Sequence, residues 1–233
     1  AKPLPPPQPP VVDDPNKRDP LDFVLWQPSA PDEPAWEAPF GSGRPGWHIE
    51  CSAMAISEHG PTLDLHGGGT DLIFPHHECE IAQSEALTGK PFVRHWMHSA
   101  MVAYEGEKMS KSLGNLVFVS EMLKVADPRA IRLGLMRHHY RAGFEWHDSE
   151  VQEGIALLHR LHAAAQCGTG ADPAPFAERV RAALDDDLNA PAALDALDDL
   201  ASAILSGGPD VGAPAVLCEL ADLIGVDLRL PLV

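Results

Sequence analysis

In Thr62-Leu63-Asp64-Leu65-His66-Gly67-Gly68-Gly69-Thr70-Asp71-Leu72-Ile73-Phe74-Pro75-His76-His77-Glu78-Cys79-Glu80, a short apolar run stops at three glycines, and a proline then stands where a helix can begin. The pattern predicts a short buried strand over residues 62–66. It predicts a helix that starts at Pro75, runs through Ala82 toward Leu87 and stops near Gly89. Residues 47–57 upstream read as another helix, and residues 96–104 downstream as another strand. Strands alternating with helices argue for a parallel α/β sheet. In such sheets ligands bind at the carboxyl ends of strands, where this glycine turn falls. Asp71 would there hold an amine or hydroxyl, although a plain tight turn accounts for three glycines equally well.

Outward from this centre the character changes twice. Eight of the first twenty residues are proline, so residues 1–18 read as an extended linker without a core of its own. Asp19 followed by Pro20 suggests one short helical turn, and the Pro- and Gly-rich residues 39–45 read as loop. Beyond Ser120 the chain reads as helices over residues 120–125, 128–138, 148–165, 175–188, 191–205 and 213–224. Asp148 and Asp187 are read there as caps or first-turn charges. The expected organisation is therefore a linker at 1–18, an α/β domain over 19–119 and a helical bundle over 120–233.

The chain has 233 residues, an apolar fraction of 45% and a formal net charge of −17. That length supports a sizeable core in one or two domains. With no run of eighteen apolar residues and no apolar leader, a cytoplasmic protein without a membrane span is expected. Cys51, Cys79, Cys167 and Cys218 are scattered without a CxxC pair, which fits reduced thiols rather than a disulfide framework. From Ala171 onward twelve acidic residues face only Arg179, Arg181 and Arg229. A surface that displaces counterions from nucleic-acid phosphate needs the opposite balance.

Besides the glycine turn with Asp71, two groups of residues carry recognisable chemistry. Cys51, His76 and Glu80 offer a thiolate, an imidazole and a carboxylate, all competent zinc donors, and His76 and Glu80 stand one helical turn apart. The bland alternative is a cysteine and a histidine with purely structural roles. An open coordination position would select a thiol ligand, cysteine over serine. Lys108-Met109-Ser110-Lys111-Ser112, flanked by Gly106 and Gly114, places two ammonium groups where they suit polyphosphate oxygens and a leaving pyrophosphate, unless the segment is only a solvated surface turn. His48 and His66 are either pocket residues or hydrogen-bonded core histidines, and Trp26, Trp36 and Trp96 read as packing.

Taken together, Gly46-Trp47-His48-Ile49-Glu50-Cys51, His66-Gly67-Gly68-Gly69-Thr70-Asp71, Phe74-Pro75-His76-His77-Glu78-Cys79-Glu80 and Lys108-Met109-Ser110-Lys111-Ser112, in this order, resemble the class I cysteinyl-tRNA synthetase family. Within it they resemble the branch that joins cysteine to glucosaminyl-inositol in mycothiol biosynthesis. The resemblance implies part of a Rossmann-like nucleotide-binding domain followed by a helical bundle. It also implies an ATP-dependent ligase that forms cysteinyl-adenylate and passes cysteine to a sugar amine, with Zn2+ as cofactor and ATP, with Mg2+, as co-substrate. By resemblance Cys51 and His76 are zinc ligands, with Glu80 a further candidate, and Trp47 lines the cysteine pocket. Gly69, Thr70 and Asp71 contact the adenylate, Val102 contacts adenine, and residues 108–112 handle ATP, with Lys108 and Lys111 as the catalytic pair. The family's HIGH-type motif and its further, N-terminal cysteine ligand are not found in the chain, which is expected to be the C-terminal portion of such an enzyme. A cysteinyl-tRNA synthetase, or a non-catalytic zinc-binding remnant, would share parts of this pattern. The acidic last third and the lack of a continuation into an anticodon-binding region turn the expected acceptor away from tRNA.

Overall fold

The computed structural model describes residues 17–109 and 113–233. Regular structure starts with β1 (Trp26–Gln27), which pairs antiparallel with β2 (Arg44–Pro45). The helical turn expected after Asp19 is a plain turn, closed by the Asp22 N–H on the Asp19 carbonyl at 2.9 Å. Helix α1 (Trp47–His59) follows, then β3 (Leu63–Gly69). After a wide, irregular turn come α2 (Glu78–Thr88) and β4 (Val93–Ser99). β3 and β4 run parallel, with Leu63 beside Val93 and Gly68 beside His98, so the expected parallel α/β arrangement is present.

Two details of this unit depart from the sequence reading. The strand does not stop at the glycines but continues through them to Gly69, and Leu65 is exposed rather than buried. The glycines serve packing as well as turning: a Cβ on Gly68 would lie 2.8 Å from the His77 ring, so only a bare α-carbon admits that imidazole. Pro75 does not open a regular helix. Phe74 is extended (φ −137, ψ 133), the Phe74–Pro75 peptide is cis, and regular α-helical structure begins at Glu78. α2 ends as expected, with Gly89 left-handed at φ 66.

Of the linker expected over 1–18 only residues 17 and 18 are among the described residues, which form two compact units that divide between Ser99 and Ala100. The second begins earlier than the helices because the strand expected over 96–104 is broken at Ala100 and Met101. β5 (Val102–Tyr104) belongs to a separate three-stranded sheet, antiparallel to β6 (Glu107–Lys108) and parallel to β7 (Phe144–Glu145). Pairing with β7 ties the hairpin to the helical unit. Its helices are α3 (Val119–Met122), α4 (Pro128–Met136), α5 (Asp148–Ala165), α6 (Ala174–Asp185), α7 (Ala190–Leu205) and α8 (Ala213–Leu223). Leu133, Leu158, Leu161, Leu197, Leu200, Ile204 and Leu217 fill the common core and are almost wholly buried. Asp187 is not a cap: Asn189 caps α7, whereas Asp187, at φ 52, accepts hydrogen bonds from Tyr140 at 2.6 Å and Arg141 at 2.6 and 3.0 Å. Asp148 opens α5 as a first-turn charge.

α4 and α5 touch through glycines. A Cβ on Gly154 would sit 2.1 Å from the Ala130 carbonyl oxygen, and one on Gly134 would sit 2.6 Å from that of Glu150. Gly154→Ala therefore forces the two helices apart. It should cost about 1–3 kcal/mol of stability, measured by urea unfolding followed at 222 nm. An unchanged midpoint would mean that the helix contact is looser than described.

Arg129, buried at the start of α4, makes a fork with Asp127, Nε to Oδ1 at 2.9 Å and Nη2 to Oδ2 at 2.6 Å. The same guanidinium donates to the carbonyls of Asp227 (2.6 Å), Leu230 (3.0 Å) and Pro231 (2.8 Å), which fastens the last residues of the chain to the bundle. Among the described residues no helix is long and apolar enough to cross a membrane.

Candidate metal centre

The first unit gathers three candidate metal donors, one of them a carboxylate. Cys51 projects from α1, His76 from the turn before α2, and Glu80 from the first turn of α2. The Cys51 thiol, an imidazole nitrogen of His76 and a Glu80 oxygen all lie within 4.8 Å of one another. The expected i, i+4 relation of His76 to Glu80 survives the irregular turn, with Nε2 3.8 Å from Oε1.

Glu80 is fully buried, and among the described residues neither of its carboxylate oxygens has a hydrogen-bond partner. Desolvation without compensation pushes its pKa up to about 7. Burial raises the Cys51 thiol as well, helped by the Glu80 and Glu50 charges. A cation placed among these donors would favour the ionised forms of both, so the donor set suits a thiophilic divalent metal.

A second ring of histidines, not grouped with these donors by the sequence, surrounds the carboxylate. His48 Nδ1 lies 2.7 Å from His76 Nδ1, which leaves His76 Nε2 to face Glu80. His66 Nε2 is 3.2 Å from Glu80 Oε2 and His77 Nε2 is 4.0 Å from it, while His77 Nδ1 is held by His98 Nε2 at 2.8 Å. Burial lowers the pKa of His48, His66 and His76, and that of His77 to about 4. The imidazoles are thus kept neutral with a lone pair to offer. His77 had a local signal, three residues before Glu80; His98 had none, because only the register of β4 against Gly68 brings it close.

The remaining candidates divide between the units. Trp47 stacks on His76 with centroids 4.4 Å apart, and it borders a cavity of about 300 Å³ with His48, Phe74, Pro75 and Cys79. Cys79 is buried on that wall and is not among the converging donors. Gly69 ends β3, and Thr70 and exposed Asp71 follow in the turn, at the carboxyl end of the parallel pair. Val102 pairs with Phe144 and Lys108 with Ala103 in the second unit, where Met109 follows. Ser110, Lys111 and Ser112 lie outside the described residues.

Residues 10–156 match the model of the tRNA synthetases class I (C) catalytic domain. The chain belongs to that family. Two curated relatives of this class I chain, from Nocardiopsis dassonvillei and Thermobifida fusca, are each 52% identical over 216 and 217 residues, covering 91% of the chain and 53% of the relative. One from Nocardia farcinica is 49% identical over 220 residues, 93% of the chain and 53% of the relative. All three are named L-cysteine:1D-myo-inositol 2-amino-2-deoxy-alpha-D-glucopyranoside ligase. The chain spans about half the length of these relatives. A LeuRS–tRNA–LeuAMS complex from Agrobacterium radiobacter K84 aligns with a TM-score of 0.63 at 16% identity, over 83% of this chain and 32% of that one. At that identity the likeness concerns the fold alone, and it agrees with the Rossmann-like reading of a class I catalytic domain.

Proposed function

We propose that this class I chain carries the cysteine-selecting part of an ATP-dependent ligase that joins cysteine to the amine of glucosaminyl-inositol. The observation that carries the reading is the convergence of Cys51 and His76 on the buried Glu80 carboxylate, which has no hydrogen-bond partner among the described residues. Bound zinc, held by these three with a position left open, would supply a direct contact to a thiol that serine cannot reproduce. The cavity beside Trp47 and His48 is of a size for an amino acid, and the Trp47 ring keeps His76 in place by stacking. Gly69, Thr70 and Asp71, at the strand end, hold the cysteinyl-adenylate, Asp71 through the amine. Val102 meets the adenine, while Lys108 to Ser112 handle the phosphates of ATP, with Mg2+ as the counter-ion.

The reaction has two steps. A cysteine carboxylate oxygen attacks the α-phosphate of ATP and pyrophosphate leaves; the sugar amine then attacks the acyl carbon, AMP leaves and the amide forms. Lys108 and Lys111 stabilise charge on the departing pyrophosphate. Three arginines against twelve acidic residues after Ala171 speak against a tRNA acceptor. The relatives' names point to the same sugar amine.

Cysteine-dependent exchange of pyrophosphate into ATP, followed by an acceptor assay with glucosaminyl-inositol and with tRNA, tests the proposal. Transfer to tRNA alone would reverse it in favour of a cysteinyl-tRNA synthetase. Bound zinc with neither activity would favour a metal-binding remnant. Lys111→Ala is expected to slow exchange about 100-fold while leaving the KM for cysteine unchanged, because the lysine acts on the leaving group. A normal rate would contradict the role given to the loop.

A further inference from the structure

Glu80 has two faces, and the donors of the proposed zinc position occupy only one. Oε1 looks toward His76, at 3.8 Å, and Cys51 completes that set. Oε2 looks toward His66 at 3.2 Å and His77 at 4.0 Å, and these three residues also bring one donor atom each within 4.8 Å of one another. His66 lies close to Oε2 without the alignment of a hydrogen bond, since Oε2 has no hydrogen-bond partner among the described residues. The two sets are built alike: in each, one histidine has its Nδ1 held by another imidazole, His76 by His48 and His77 by His98, so that Nε2 is turned toward the carboxylate. Orientation of a ligating imidazole through its other nitrogen is a regular feature of metal sites. Gly68 adds to this, because any side chain there would displace the His77 ring.

We propose that His66, His77 and the Oε2 side of Glu80 form a second, thiolate-free position for a divalent metal of the zinc class, with Glu80 bridging it to the Cys51 position. Two imidazoles and a carboxylate are donors that zinc and cobalt accept. One ion at Cys51 and His76 leaves the His66 and His77 nitrogens facing an unpartnered oxygen; a second ion gives all of them a partner. The inference rests on the Cys51 reading, and it deepens the site from one metal to two sharing a carboxylate.

The test is titration of the metal-free chain with Zn2+ and Co2+, with metal content measured after desalting. Two equivalents are expected, the Cys51-bound cobalt giving a near-ultraviolet thiolate charge-transfer band. Cys51→Ala should keep one equivalent and lose the band. His77→Gln and, as an independent variant, His66→Gln should each keep one equivalent and the band, with circular dichroism reporting that the fold is retained. Cys51→Ala combined with His77→Gln should bind none. A single equivalent that shows the band in the unaltered chain would overturn the second position and leave the first standing. A second equivalent that persists in both histidine variants would overturn it too. Absence of the band in the unaltered chain would refute the Cys51 reading on which the proposal rests.

Discussion

Arg129→Ala is expected to destabilise the helical unit by about 3–5 kcal/mol, because it removes one partner of a buried ion pair and leaves the other charged and unpaired. The loss extends beyond Asp127. The carbonyls of Asp227, Leu230 and Pro231 lose their donor together, so the last residues should detach from α4. Arg129→Lys should recover little, since an ammonium cannot make the two-toothed contact and reach three carbonyls as well. Asp127 gives the sign of the acid response. Hydrogen bonds from Arg129 hold its carboxyl below the usual range, so its contribution is complete above pH about 4, the unfolded value, and is lost as pH falls through the lower, folded one. Urea unfolding followed at 222 nm measures the effect. A loss below about 1 kcal/mol, typical of exposed pairs, would show that the pair is not buried in solution.

Cys51→Ala should abolish the thiolate-bound metal and raise the KM for cysteine on the order of 100-fold or more, given that even outer partners of metal ligands contribute 10–100-fold. The turnover number should fall less, because the thiol contact is made equally in the ground state and the transition state. Cys79→Ala is the control. Cys79 is buried beside Glu80 in sequence, yet it stands on the cavity wall and outside the donor set, so metal content should stay at the level of the unaltered chain. Equal metal loss in both variants would mean that the thiol of Cys51 has no special place.

The helices of the second unit were legible because their cause is local. Pro128, Pro191 and Pro214 stand in first turns, Asp127 and Asn189 cap, and apolar residues recur at helical spacing; the observed ends fall within three residues of those expected. The stretch 62–80 was harder. Its apolar run marked a strand, but that strand runs on through the glycines to Gly69, and Phe74 and Pro75 form an irregular turn, because Phe74 stays extended before its proline. The broken strand at Ala100 was invisible for another reason. β5 leaves β4 to pair with β7, some forty residues later, and no local period encodes such a partner.

The sequence by itself determined the family pattern, the alternation of strand and helix, and the candidate donors Cys51, His76 and Glu80, because residue type and i, i+4 spacing are properties of neighbours along the chain. Only the tertiary structure decided that Glu80 is buried with both oxygens unpaired among the described residues, that His66 and His77 close on its second oxygen, and that Gly68 makes room for the His77 ring. Desolvation and convergence arise where α1, α2, β3 and β4 meet. They depend on which distant residues exclude water from the same few cubic ångströms, and that no stretch of sequence records.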